Sequence, residues 1–565
     1  MDSKVLKMTL KTGFALTLLV LLVRCSLQNR YGIIPYTPAE TDAGSRQIDT
    51  LDTDYAVYTF KQFATGNLME VSGNIYYNEK YKDGQTICQH TLSRTGGEID
   101  SWQQWYVIYK QTKDGTKYYT IRNVFSGELL SAPSGVVAST PIEQSRVRPA
   151  PADSQLWSFH RIGNTKLFNI ISKSSGLAVT SLPGGSQDSV PVLLAPEDGS
   201  EAQRWVLDQQ PVVSYRDDEV VRFFERNKSS QGSVAFDQGN SIPLQWGANK
   251  GKVLWITQDA WDGSELKANG QFSCSEFFRY RNSVMIQPST TDWNPDNTPN
   301  LIRTGSQQNR PKQIFDVVPN TEYAWPAAGI EIGNKVYIQC GEGSGLGPNL
   351  SQSLYELTEN ENLLWTVKRL TPAGMTDESE INYSAGMVKA TDGFVYVFGH
   401  HGTGFGYTLD LHVARFPVTD PVRWTFWDGA NWVAKPVTGT VARVTDGLGT
   451  ASVAYVDGKY VFMSMDQGFN CDSSRNIYMA TSTSPTGPFT PLKKVYTINE
   501  YLYGSYARYY TPVIHPVFNN GRKELLVTYC LNFSACGVKD CKDGYLDPYF
   551  YRVKGVRVPY ELIGL

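Results

Sequence analysis

The chain has 565 residues, too many for one ordinary core, so two or more domains are expected. Lys and Arg number 52 against 55 Asp and Glu, for a net charge of −3, which argues against a nucleic-acid binder with its basic face. Aromatics make up 12%, with 33 Tyr and 13 Trp beside 49 Gly, a composition of strands and turns that points to an all-β protein.

The first segment reads as an export signal. Lys4, Lys7 and Lys11 precede a short apolar stretch from Phe14 to Val23, too short for a membrane span. Leu22 and Cys25 fit a lipoprotein signal with a lipid anchor at Cys25; Arg24 departs from that pattern, and a cleaved signal peptide fits equally. Residues 1–25 are therefore assigned to one or the other, with 26–49 as linker, and the protein is expected outside the cell or at its surface, without membrane insertion beyond that anchor. Seven cysteines follow, and an oxidising compartment favours pairing. Cys530, Cys536 and Cys541 lie close together, so a local bridge among them is expected.

Residues 50–210 carry a threefold repeat. Gln103-x-Trp105, Gln155-x-Trp157 and Gln203-x-Trp205 each follow a strand and a Ser/Thr-Gly turn. Three such copies suit a β-trefoil, each Trp plugging a shared core and each Gln satisfying backbone groups. This part resembles the ricin-type lectin family, also called carbohydrate-binding family 13. The resemblance implies sugar binding through an acid after each turn. The three positions hold Glu70, Ser131 and Thr180, which leaves Glu70 as the trefoil sugar-binding candidate, the alternative being a purely structural trefoil.

Residues 215–565 carry a second repeat. Segments starting at Glu322, Glu380, Asp446 and Tyr509 each hold two apolar runs around a Gly-containing turn, then further short strands. With the stretch from Phe236 to Trp261 they make five copies, the pattern of a five-bladed β-propeller. The fold class expected is thus all-β, a β-trefoil followed by a five-bladed β-propeller. Gln287 to Asn320, rich in Pro, Asn, Thr and Gln, reads as a long loop between blades.

Asp237 and Asp259 bracket the first hairpin. Paired across its turn they fall nearly opposite, with Cβ atoms about 4.5–5.5 Å apart. Carboxylates that close repel, and one should keep its proton near neutrality. Such a pair is the machinery of glycoside hydrolysis, with about 5–5.5 Å between the carboxyls for retention and about 6.5–9.5 Å for inversion. Asp259, beside Trp255, Ile256 and Trp261, is expected to be the acid and Asp237 its ionised partner. The alternative for both is backbone capping beside turns.

D-x-G-x-S-x-P-L followed by a strand ending in D-x-W resembles the five-bladed propeller family called domain of unknown function 4185. The resemblance implies a secreted glycoside hydrolase acting on D-arabinofuranosyl polymers, endo-D-arabinofuranase-like, with Asp237 and Asp259 catalytic. Gln258 stands where that family has Gly. Trp261, Trp325, Tyr383, Asp446, Arg508 and Tyr510 are the substrate-binding candidates, and the partner expected is a polysaccharide or oligosaccharide. Glu276, Glu322 and Glu380 are further acids near blade starts. No CxxC pair is present, and the adjacent His400 and His401 point to opposite faces of a strand, so no metal is expected. No cofactor is expected either, and the protein should be monomeric. The alternative function is a non-catalytic carbohydrate-binding protein; an interaction scaffold is a third reading.

Overall fold

The computed structural model describes residues 51–565 apart from 52, 149, 183–188, 276–277, 346–348, 378–379, 404–407, 470–473 and 536–540. The signal and linker, Cys25, Glu276, Cys471 and Cys536 lie outside the described residues. The described residues form one compact unit, all-β, with a trefoil followed by a five-bladed propeller.

Thirteen trefoil strands, from Tyr55–Gln62 to Trp205–Gln210, join in one sheet, and Arg94–Thr95 pairs with Glu98–Ile99 in a small ribbon. Its threefold logic is visible atom by atom. Trp105, Trp157 and Trp205 are wholly buried in a shared core. Their indole N–H groups donate to the carbonyls of Met69, Leu130 and Val179 at 3.0, 3.0 and 2.9 Å. The matching glutamine amides donate to the carbonyls of Thr91, Arg146 and Pro196 at 2.8, 2.8 and 2.7 Å. Each motif thus fills the core and ties a loop carbonyl to the strand that follows.

Each propeller blade opens with an inner strand: Ser233–Pro243, Tyr323–Ile332, Asn382–Lys389, Ala451–Val456 and Ser505–His515. Each inner strand pairs antiparallel with the strand that follows it, as the repeated hairpins predict. The five inner strands neighbour one another round a closed ring. Residues 288–322 form the expected inter-blade connection, with two short 3-10 turns.

The ring closes on blade five. Its outermost strand, Tyr215–Arg216, comes from the chain between the two domains and pairs with Val553–Pro559 near the C-terminus. The same region binds the trefoil to the ring. Tyr215 Oη donates to Glu524 Oε2 at 2.8 Å, Tyr55 Oη donates to the same carboxylate, and Arg216 pairs with buried Glu500. Gly127 has φ +77°, and a Cβ there would lie 2.1 Å from the Arg216 carbonyl oxygen, so only glycine lets the two domains approach this closely.

The cysteines depart from expectation. Cys541 bridges Cys274 of blade one, 267 positions away, beside a short ribbon pairing Phe272–Ser273 with Tyr545–Leu546. Cys530 cannot join a local bridge because it sits inside strand Glu524–Ala535, fully buried against the Gln238 carbonyl at 3.3 Å.

Candidate active site

Asp237 lies near the start of the inner strand of blade one, and Asp259 lies on the strand paired with it. The ladder is irregular there. Phe236 faces Ala260 and Gln238 faces Thr257, so Asp237 alone opposes Gln258 and Asp259. A bulge of this kind bends the strand and re-aims its side chains. Just beyond it, Gln238 has φ +64° and Gly239 +95°. Thr511, next to Tyr510 on blade five, has φ +49°, an outlier for a β-branched residue. Unusual backbone therefore flanks the pair from two blades, as is common where side chains are held for a task.

Both carboxyls are recessed, Asp237 being 7% exposed and Asp259 6%. Asp237 Oδ2 accepts the hydroxyls of Tyr510 at 2.9 Å and Tyr551 at 3.1 Å. Its Oδ1 is buried with no hydrogen-bond partner. Burial first, and then the charge of Asp259, push the Asp237 carboxyl up to about 8, while the two phenols pull it partly back. Asp259 is held differently. Arg281 Nη1 reaches its two oxygens at 3.3 and 3.2 Å, and Trp325 Nε1 donates to Oδ1 at 3.0 Å. Burial raises this carboxyl as well, but Arg281 and Trp325 oppose the rise.

The two groups thus sit in each other's field with different partners. Asp259 has a cation and an N–H donor, which favour its ionised form; Asp237 has two neutral phenols and an unpartnered oxygen, which suit a proton. The surroundings of Asp259 include the Trp325 donor and the Arg281 cation, which adjacency in sequence does not show, so they are more polar than Trp255, Ile256 and Trp261 suggest.

The substrate-binding candidates divide. Trp325 is half-buried and stacks on Tyr323 with ring centres 3.5 Å apart, and Tyr510 reaches Asp237. Arg508 donates to Ser534 Oγ at 3.0 Å and lies 5.7 Å from the ring of Phe469. Phe469 is 42% exposed and meets Tyr510 edge-on at 5.5 Å.

Trp261 and Tyr383 are core residues instead. Trp261, 2% exposed, stacks on Phe272 at 4.5 Å because the ribbon beside the disulfide covers it. Tyr383, 1% exposed, packs against Trp424 and Phe426 between blades. Asp446 is exposed on blade three, opposite Asp410 in register, away from the strands that carry the pair. Glu322 and Glu380 are also exposed.

Glu70 of the trefoil is not a free sugar acceptor. It is 5% exposed, with Oε1 bound by Lys80 at 2.9 Å and Oε2 by Gln103 at 2.8 Å. Sequence reasoning missed Tyr551, Arg281 and Phe469; FFRYR and DPYFY are the aromatic-rich runs that hold the first two. A cavity of about 590 Å³ lies among the far ends of the inner strands, lined by Ser241, Gly329, Met387, Ala454 and Ile514, and neither acid lines it.

Comparison with known proteins adds the following. No curated protein matches the chain. Among solved structures it is similar to a Bacteroides ovatus ATCC 8483 protein described provisionally as a hydrolase, at 18% identity and TM-score 0.48, covering 61% of this chain and 90% of that one. It is similar to the designed threefold-symmetric protein ThreeFoil, at 21% identity and TM-score 0.23, covering 27% of this chain and 96% of that one. It is also similar to the ricin B-like lectin of Macrolepiota procera, solved with lactose, at 17% identity and TM-score 0.21, covering 30% of this chain and all of that one. The family whose model matches is not the domain of unknown function 4185 that the motif resembles. Residues 217–556, more than half of the chain, match another model, and the chain belongs to the family described as Domain of unknown function (DUF5005).

Proposed function

We propose that the protein is an exported, monomeric glycoside hydrolase acting on a polysaccharide or oligosaccharide. Asp237 is its general acid and Asp259 its ionised carboxylate. The observation that supports this most is the unequal environment of two adjoining carboxyls. Groups driven apart in proton affinity can divide acid and base work at one pH. The proton resides on Asp237 Oδ1, the oxygen without a partner, while Tyr510 and Tyr551 fix Oδ2. Asp259, aimed by Arg281 and Trp325, acts as nucleophile or as the base that activates water. Because Oδ1 is shielded in the free protein, a bound glycan must displace part of its cover, and Phe469 is the exposed ring beside Tyr510.

D-arabinofuranosyl polymers are the first substrates to screen, on the motif resemblance alone, followed by plant, fungal and bacterial polysaccharides. The test is release of oligosaccharides by the wild type, Asp237→Asn and Asp259→Asn. Loss of about 10²–10⁴-fold in hydrolysis with binding kept supports the acid-pair mechanism. Binding without any hydrolysis by the wild type supports the lectin reading instead.

A further inference from the structure

Blade three carries a cluster that the acid pair does not use. His401 lies on strand Phe394–Thr403, and Asp410 and His412 lie on the adjoining strand Thr408–Pro417. His401 faces Asp410 directly in the ladder, and His412 is two residues further along the same strand. Alternation therefore puts all three side chains on one face of the sheet. One donor atom from each lies within 4.8 Å of the others. His412 is 2% exposed, yet neither ring nitrogen makes a well-formed hydrogen bond. His401 Nδ1 is likewise buried without a partner. Buried imidazole nitrogens normally find partners, so two histidines with unpartnered ring nitrogens, one donor atom of each converging with a carboxylate, mark a place built for something the side chains do not themselves supply.

We propose that His401, Asp410 and His412 bind one divalent d-block cation of the zinc class. Two imidazoles and a carboxylate are the donor set such an ion takes, whereas calcium and magnesium take oxygen ligands throughout. Ligands about 2.0–2.2 Å from a tetrahedral centre lie about 3.3–3.6 Å apart, so side-chain rotations of about an ångström close the observed spacing. Supporting contacts are in place. Arg443 Nη1 donates to Asp410 Oδ1 at 3.0 Å, which leaves Oδ2 for the ion. The Ala442 carbonyl stands beside the His412 ring, where it can orient the non-ligating N–H. Three protein ligands leave a fourth position for water or another small ligand, and the half-buried His401 and Asp410 keep it open to solvent. His400 and His401 are consecutive on a strand and diverge, as the sequence reading takes them to. That reading missed that the partners of His401 come from the next strand.

The test uses the full chain, stripped with a chelator and titrated with Zn²⁺ by calorimetry and with Co²⁺ by visible absorption. One tight Zn²⁺ per chain is expected, together with the intense visible bands of low-coordinate Co²⁺. His401→Ala and Asp410→Asn, both at half-buried positions and checked for folding by circular dichroism, should each weaken Zn²⁺ at least about a hundredfold. His90→Ala in the trefoil serves as control and should bind as the wild type does. Absence of binding by the wild type, or unchanged affinity in the folded His401 and Asp410 variants, overturns the proposal.

Discussion

Replacing Asp237 by Asn should make the protein more stable at neutral and alkaline pH. The environment moves this carboxyl from 3.8 to about 8, chiefly by burial and then by the charge of Asp259. At about 1.4 kcal/mol per pH unit the whole displacement is worth about 6 kcal/mol, an upper limit because the proton is shared with a second carboxyl. Below pH 3.8 folded and unfolded chains both hold the proton, and the group has no effect. Between 3.8 and about 8 the unfolded chain releases it while the folded chain keeps it, so stability falls as pH rises. Above about 8 both are ionised and the loss is complete. Asparagine has the same shape, still accepts from Tyr510 and Tyr551, and cannot ionise. The variant should gain about 2–4 kcal/mol over the wild type at pH 8, and the gap should vanish near pH 4. Urea unfolding at pH 4, 6 and 8 reads this through the fluorescence of buried Trp255 and Trp261 in blade one. Equal or lower stability of the variant at pH 8, or a difference that ignores pH, refutes the reasoning. Lost activity beside gained stability is the signature of a group kept for its chemistry.

Two further perturbations address the frame. Glu70→Ala strands the buried Lys80 ammonium, so the trefoil should lose about 3–5 kcal/mol; a calorimetric scan with an unchanged trefoil transition, alongside lost sugar binding, would restore Glu70 as a ligand-binding group. Reducing the Cys274–Cys541 bridge, or replacing both residues by Ser, should cost about 2–5 kcal/mol, because it ties a loop of 267 positions. The check is a fall in the propeller melting temperature on adding reductant, absent from the double Ser variant.

The sequence is most legible where structure repeats. The Gln-x-Trp triplets mark the trefoil because each copy meets the same two needs, a core plug and a backbone partner. The hairpins mark the propeller because each blade must pair its inner strand locally. Asp237 and Asp259 could be matched by counting from one turn. What is not legible is whatever depends on a distant strand. Arg281 reaches Asp259 through the Tyr280–Ala260 bridge inside blade one, and Tyr551 reaches Asp237 only when the ring closes. Trp261 stands two residues from Asp259, yet Phe272 seals it, held by a pairing with Leu546. The His401, Asp410 and His412 cluster is invisible along one strand because it is assembled across two.

The clasp at Tyr215–Arg216 has a temporal meaning. Asp217 is next to that strand, and its carboxylate binds Arg557, 340 positions later, so the clasp waits for nearly the last residues to be made. The acids belong to blade one and their two phenols to blade five, which meet only when the circle shuts. A nascent or clipped chain that lacks its tail therefore leaves Asp237 without Tyr551, and the surroundings of the acid pair are completed only as the ring shuts.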